Sequence, residues 1–331
     1  MRSAILSVSV ASGVLLAAAT GPQYSISGPY THENLSIFLI HGAGSGKNYV
    51  TLQEAMAKKK VIVYETKNVN QLAVENVSDE SVFIQGGDIV KGGQQDRVVT
   101  NDFVLPPRSG RVPIASFCVE QGRWTRRGSE NAAMFQFSSE MVSTKPLKRA
   151  VTVDKNQAEV WREVAKTQDA LGMITSAERV GGSGAQVRAP SSPSSLQLTL
   201  ESKPVADAVD GYVKALRGVI AGKPDVLGFA FAVNGDLNSA DVYSSRELFL
   251  AMWPKLMRSS AVEALRLRRP GAFEAASTAA VEALLRDAEN GKTSTVEVDH
   301  RVKLVTHEND NQALVESRES GGWIHRNYIR K

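Results

Sequence analysis

Short apolar runs of strand length, separated by glycine, Asn-Asp and Pro-Pro turns, dominate the first half of this chain. They fall at 36–40, 61–64, 71–74, 81–85, 97–105 and 112–119. Strands at this spacing predict a packed sheet or a sandwich. One short amphipathic helix is predicted at 51–60, after a glycine-rich loop at 41–47.

The pattern changes near residue 150. Asp154 and Gln157 have capping-box spacing before a helix that carries Ala158, Trp161, Ala165 and Leu171 on one side and should stop at Gly172. Ser202 and Pro204 open a second helix, with Val205, Val209, Tyr212, Leu216 and Ile220 at helical spacing, ended by Gly222 and Pro224. An apolar strand at 226–233 runs into Asn234-Gly235, a favoured two-residue hairpin turn. Ser244 and Glu247 repeat the capping signature before a long helix that Pro254 should kink or divide. An alanine-rich helix at 274–287 follows, then strands at 295–298, 302–307, 314–317 and 323–329. The expected class is α+β, with a β-rich first half (a sheet or sandwich) followed by a mixed half of helices and strands.

A chain of 331 residues suits one large or two ordinary domains. Residues 20–150 and 151–331 are the expected units. Their boundary is soft, because the tail strands can rejoin the first sheet and make one domain. The stretch 181–195 is rich in Gly, Ser, Ala and Pro and reads as a flexible loop.

The N-terminus has the layout of a secretory signal. Arg2 is followed by an uncharged run from Ala4 to Ala19, with Ala17 and Ala19 as an A-x-A site. Cleavage after Ala19 predicts a periplasmic or secreted protein with no membrane span left. The uncharged run is shorter than the roughly 20 apolar residues that a span needs.

The net charge of +4 is too small to argue for a nucleic-acid partner. The basic clusters 58–60, 126–127 and 266–269 carry no interleaved aromatic residues, so they read as solvated faces. Cys118 is the only cysteine, so no internal disulfide can form. In an apolar strand it is expected to be buried.

Several familiar motifs fail. His41 to Lys47 resembles a phosphate loop, but His41 and Asn48 stand where glycine and Ser or Thr are needed. A serine hydrolase is disfavoured, because the nearest match to a nucleophile elbow, Gly181 to Ala185, lies in the flexible loop and ends in alanine. The five histidines show no zinc spacing, although His300 and His307 can approach His325 if the tail strands pair.

Residues 74–124 carry the most distinctive chemistry. Gly86 to Arg97 is a glycine-punctuated loop with two acids, two amides and an arginine, and Cys118-Val119-Glu120-Gln121-Gly122-Arg123-Trp124 ends a strand. Glycine lets the backbone approach a ligand closely, while Gln and Arg present flat groups of several donors. The same residues also suit a structural role, with Asp96, Arg97 and Glu120 as an ion-pair network and the glycines as tight hairpins. The residue chemistry leaves both readings open.

These motifs resemble the ARG and rhodanese-phosphatase-superfamily-associated protein domain family. The resemblance rests on Gly87-Asp88, Gly92, Gln95-Asp96-Arg97, Pro113-Ile114, Cys118-Val119-Glu120 and Gly122-Arg123-Trp124, and covers roughly residues 34–128. Asp88 stands where the family pattern has Glu, and Asp96 where Asn is common. The resemblance implies a link to ADP-ribose or phosphoester metabolism without an assigned activity. Three functions follow as expectations. A ligand-binding or accessory protein would use Gln95, Arg97, Glu120 and Arg123 on a small anionic or nucleotide-like ligand. A hydrolase of glycosidic or phosphoester bonds would use Asp88, Asp96 and Glu120, or, as a thiol enzyme, Cys118. An envelope protein would use the motif to hold its fold or bind a partner. No metal site and no identifiable cofactor are expected.

Overall fold

The computed structural model describes residues 24–177, 186–320 and 322–331. The expected signal peptide and the failed elbow at 181–185 lie outside the described residues. In the first half the strands are β1 (Ser25–His32), β2 (Leu35–His41), β3 (Val50–Thr51), β4 (Val61–Glu65), β5 (Gln71–Asn76), β6 (Val82–Ile84), β7 (Asp88–Gly92), β8 (Arg97–Val99), β9 (Phe103–Leu105), β10 (Gly110–Cys118) and β11 (Phe135–Met141). Helices α1 (Leu52–Ala57) and α2 (Lys145–Thr152) accompany them. The second half contains α3 (Gln157–Ala177), α4 (Leu196–Leu200), α5 (Lys203–Leu216), β12 (Val226–Val233), β13 (Asp236–Tyr243), α6 (Arg246–Arg266), α7 (Thr278–Ala288), β14 (Lys292–Glu297), β15 (Val302–Glu308), β16 (Gln312–Glu319) and β17 (Gly322–Arg330). The protein is α+β, with a β-rich first half and a mixed second half.

An eight-stranded antiparallel sheet runs β1-β2-β12-β13-β17-β16-β15-β14. It joins strands from both sides of residue 150. Both faces of its centre are covered. Leu35, Ile37 and Leu39 of β2 face a core shared with Phe249, Met252 and Leu256 of α6. Phe38 and Ile40, on the opposite face, pack with Val281, Leu284 and Leu285 of α7. Each such fully buried side chain contributes about 1.5–3 kcal/mol of transfer free energy, and β12 is buried along its whole length. A six-stranded sheet, β11-β7-β8-β10-β5-β4, and a small β3-β6-β9 sheet enclose a separate core of Val63, Val74, Ile84, Val90 and Leu105.

Local signals act largely as read. Thr51 and Glu54 form a reciprocal capping box on α1. Asn234 and Gly235 both take positive φ, 52° and 85°, as the β12–β13 turn requires. Helices α3 and α6 depart from expectation. Asn156, not Asp154, accepts the first free N–H groups of α3, from Ala158 and Glu159. Gln157 instead bonds both backbone groups of Cys118. Helix α3 passes Gly172 because Leu171 and Thr175 are buried beyond the roughly 1 kcal/mol cost of an interior glycine. Pro254 does not divide α6; burial of Met252, Trp253, Leu256 and Met257 holds the helix through the lost hydrogen bond.

The predicted strand at 97–105 is two strands in two sheets. Arg97–Val99 pairs with β7 and β10, while Phe103–Leu105 pairs with β6. The chain changes sheet at Asn101-Asp102. There Asp102 accepts the Gly86 N–H at 2.9 Å and turns its other oxygen to a distant histidine. The described part of 181–195 is also packed rather than loose. Ser192 and Ser195 are buried, and Ser195 caps α4. Their hydroxyls find carboxylates in the motif region, which supplies the ordering that composition alone does not predict.

Candidate functional site

The family-like motifs converge at the β7–β8 hairpin. Gly93 has φ +53°, and a Cβ there would lie 2.3 Å from the Phe135 ring, so only glycine closes the turn. Asp96 follows the turn and accepts from both Arg127 nitrogens, at 2.8 and 2.9 Å, from Ser195 Oγ at 2.6 Å and from the Gly92 N–H at 2.9 Å. Glu120 accepts from Arg123 Nε at 2.5 Å and Nη2 at 2.7 Å, from the Asp96 N–H at 2.8 Å and from Ser192 Oγ. Arg123 also donates to the carbonyls of Gly92, Gly93 and Thr125. Two acids and two arginines thus neutralise each other, with every carboxylate oxygen occupied.

Arg97 sits beside this network and is fully buried. It donates to both Glu65 oxygens at 3.4 Å, to Gln95 Oε1 at 3.4 Å and to Cys118 Sγ, with the Trp124 ring 5.5 Å away. Glu65 was missing from the sequence-based set; it belongs to a strand whose pairing partners were unknown. Burial pushes the Cys118 thiol up to about 11, so it is protonated at neutral pH and a poor nucleophile. Asp88 stands apart, paired with Lys255 of α6 at 2.7 Å and with the Gln85 N–H at 3.1 Å. Of the acids considered for hydrolysis, Asp96 and Glu120 are brought together, and Asp88 shares no partner with them. Gln95, Arg97, Glu120 and Arg123, considered for binding, lie in one region with their polar groups engaged mainly by protein.

A second polar cluster arises where β8 gives way to β9. His325 of β17 lies between two carboxylates, with Nδ1 2.8 Å from Asp102 Oδ2 and Nε2 3.1 Å from Asp241 Oδ1. Asp241 and His325 share one face of the β13–β17 pair, because Asp241 is opposite Asn327 and Tyr243 opposite His325. The Tyr243 ring stacks on the imidazole at 4.6 Å. Burial alone would push the His325 pKa down, but Asp102 and Asp241 outweigh it and hold the ring up at about 9. Carboxylates only accept, so both ring nitrogens carry protons. Burial would likewise raise the Asp241 carboxyl, but Lys148 and His325 reverse that and leave it below its ordinary value.

His325, Asp102 and Asp241 line a pocket together with Gln85, Gly86, Asn101 and Lys148. The first motif therefore does reach a cavity, through the turn that precedes Asp88. Asp241 Oδ1 is used by His325 and by Asn327 at 2.8 Å, whereas its buried Oδ2 has no partner among the described residues. Asn101 Oδ1, also on the pocket, has none either. Lys148 is 5% exposed, with Ser239 Oγ at 3.5 Å and the Phe231 ring at 5.5 Å beside its ammonium. His325 had drawn notice for its possible approach to His300 and His307, yet its partners are aspartates, and His307 bonds Thr293 instead. A readable signal is Asp241 itself, a carboxylate between Ala240 and Val242 in a strand that is buried from Leu237 onward.

Comparison with curated proteins and with solved structures returns no match. The family model of the ARG and Rhodanese-Phosphatase-superfamily-associated Protein domain matches residues 23–329, well beyond the 34–128 segment in which the motifs were recognised. The match takes in both polar clusters and every strand of the large sheet, and the chain belongs to that family.

Proposed function

We propose that this is an exported ligand-binding or accessory domain, and that a small anionic, nucleotide-like ligand of the ADP-ribose type binds at the mouth of the pocket between Asp241 and Lys148, whose cavity of about 30 Å³ admits only one polar group of that ligand. The observation that carries this reading is a pair of buried groups with unused capacity on one cavity. Asp241 Oδ2 lacks a donor, and Lys148 has no carboxylate in ion-pair contact among the described residues. A buried acceptor left unsatisfied costs about 1–3 kcal/mol, so a ligand that supplies a hydroxyl there recovers that cost. A phosphate or carboxylate oxygen on the same ligand would meet Lys148. Sugar hydroxyls beside phosphate meet both requirements.

His325 holds Asp241 in place and takes no direct part, because both its nitrogens are occupied. The closed Asp96–Glu120–Arg123–Arg127 network is the frame that sets the β7–β8 hairpin, and with it the Gln85-Gly86 wall of the pocket. Thermal-shift measurements on the full chain with ADP-ribose, nicotinamide nucleotides and inorganic phosphate test this reading. A ligand at a hundred times its dissociation constant adds about 2.7 kcal/mol, expected here as a rise of about 4 °C or more. The rise should vanish in Lys148→Met and in Asp241→Asn. A shift that survives both substitutions, or no shift with any compound, would sink the proposal.

A further inference from the structure

Three adjacent strands of the large sheet place a serine, a histidine and an aspartate in one hydrogen-bonded line, away from both clusters described above. Ser27 lies on β1, His41 at the end of β2, and Asp225 immediately before β12; the sheet order is β1-β2-β12. Ser27 Oγ is 2.7 Å from His41 Nε2. His41 Nδ1 is 2.9 Å from Asp225 Oδ1. The Gly42 N–H donates to the Asp225 carbonyl at 3.0 Å and locks the aspartate beside the histidine. A carboxylate only accepts, so Nδ1 carries the ring proton and Nε2 is left as the acceptor for the serine hydroxyl. This is the tautomer that a general base needs.

The surroundings suit a reacting group. The imidazole side is 13% exposed, whereas Asp225 is 59% exposed. Ser27 is half-buried and reachable. Tyr30 donates its hydroxyl to Ser27 Oγ at 3.3 Å, which puts one phenolic donor next to the position of an attacked carbonyl oxygen. The strand is irregular here: its register shifts between Ser27 and Tyr30. Such irregularities re-aim side chains near functional sites. Triads are recognised by geometry and roles, not by chain order or by an elbow motif, so the missing elbow does not bear on this arrangement.

We propose that Ser27, His41 and Asp225 form an acyl-transfer site acting on a small ester. Ser27 Oγ attacks the carbonyl carbon, and its proton passes to His41 Nε2. The tetrahedral intermediate, its oxygen facing Tyr30, expels the alcohol, which takes the proton back from His41. Water then attacks the Ser27 ester with His41 as base and releases the carboxylic acid. Asp225 is a positioning residue that holds the ring tautomer, and its exposure to solvent makes its contribution smaller than that of the histidine.

The test treats the full chain with a fluorophosphonate, which a nucleophilic serine attacks with loss of fluoride, and maps the adduct by peptide mass. Hydrolysis of p-nitrophenyl acetate is followed in parallel. An adduct on Ser27 is expected, with hydrolysis lost in Ser27→Ala. The labelling rate should fall by about a hundredfold or more in His41→Gln, and less in Asp225→Asn and Tyr30→Phe. Absence of an adduct at Ser27 would overturn the proposal, as would labelling at an unchanged rate in His41→Gln. Should His41→Gln fail to fold, unchanged labelling in both Asp225→Asn and Tyr30→Phe would overturn it equally.

Discussion

The two buried polar clusters contain similar chemistry but differ in saturation. At the β7–β8 hairpin, Asp96 and Glu120 meet Arg123 and Arg127, and all four carboxylate oxygens accept hydrogen bonds. At the β13–β17 pair, Asp102 and Asp241 meet His325, and one Asp241 oxygen has no partner among the described residues. Burying a charge costs several kcal/mol unless partners replace its water. The first cluster replaces that water at every Asp96 and Glu120 oxygen and leaves the Arg127 Nε without a partner among the described residues, so it can set the backbone but offers a ligand no free carboxylate oxygen. The second leaves capacity facing a cavity. The comparison teaches that motif density in sequence and binding capacity in structure are separate properties.

The largest expected change comes from Glu120→Ala. If the hairpin cluster is a frame, this change strands Arg123 and part of Arg127 in a buried site and should cost about 3–5 kcal/mol in urea denaturation. A cost below 1 kcal/mol would mean that water enters the cluster freely and that its arginines are available after all.

The next effect separates the clusters by pH. His325 has a folded-state pKa of about 9, above its ordinary value near 6.5. The folded state therefore binds the proton more tightly than the unfolded state. The resulting stabilisation is fully present below about pH 6.5 and is lost as pH rises through about 9, on the order of 3 kcal/mol in total. Urea midpoints at pH 6 and pH 9.5 should show this loss, and His325→Gln should flatten the slope across that window. An unchanged slope in the variant would mean that the imidazole is not the titrating group.

The smallest expected effect is a lack of reaction. Cys118 is fully buried, and its thiol is raised to about 11. Iodoacetamide at pH 7.5 should leave the native protein unmodified and label it in urea. Native labelling within minutes would show that the Arg97 pocket opens to solvent and would blur the contrast between the clusters.

Much of the frame was legible from local pattern. The apolar runs at 36–40 and 226–233, the short helix that follows residue 51 and the Asn234-Gly235 hairpin all rest on interactions within a few residues, which sequence reports directly. The motif residues were recognised, and Asp96 with Glu120 as an ion-pair network was one of the readings their chemistry allowed. Arg97 was placed in that network by sequence but pairs with Glu65, 32 residues away, because strand β8 lies between β7 and β10 and turns its arginine toward the end of β4. The splitting of 97–105 was not legible, since nothing in Val-Val-Thr-Asn-Asp-Phe marks a change of sheet.

The α+β alternation, the Asn234-Gly235 turn and family membership could be read along the chain. Each of these depends on periodicity, turn chemistry or a motif read along the chain. Tertiary structure alone decided which charges share a site. Asp102 meets His325 across 223 positions, and Asp241 meets it across 84. Those encounters follow from strand order in a sheet assembled from both ends of the chain. That order is set by which apolar faces bury each other, a property of the whole molecule that no short segment carries.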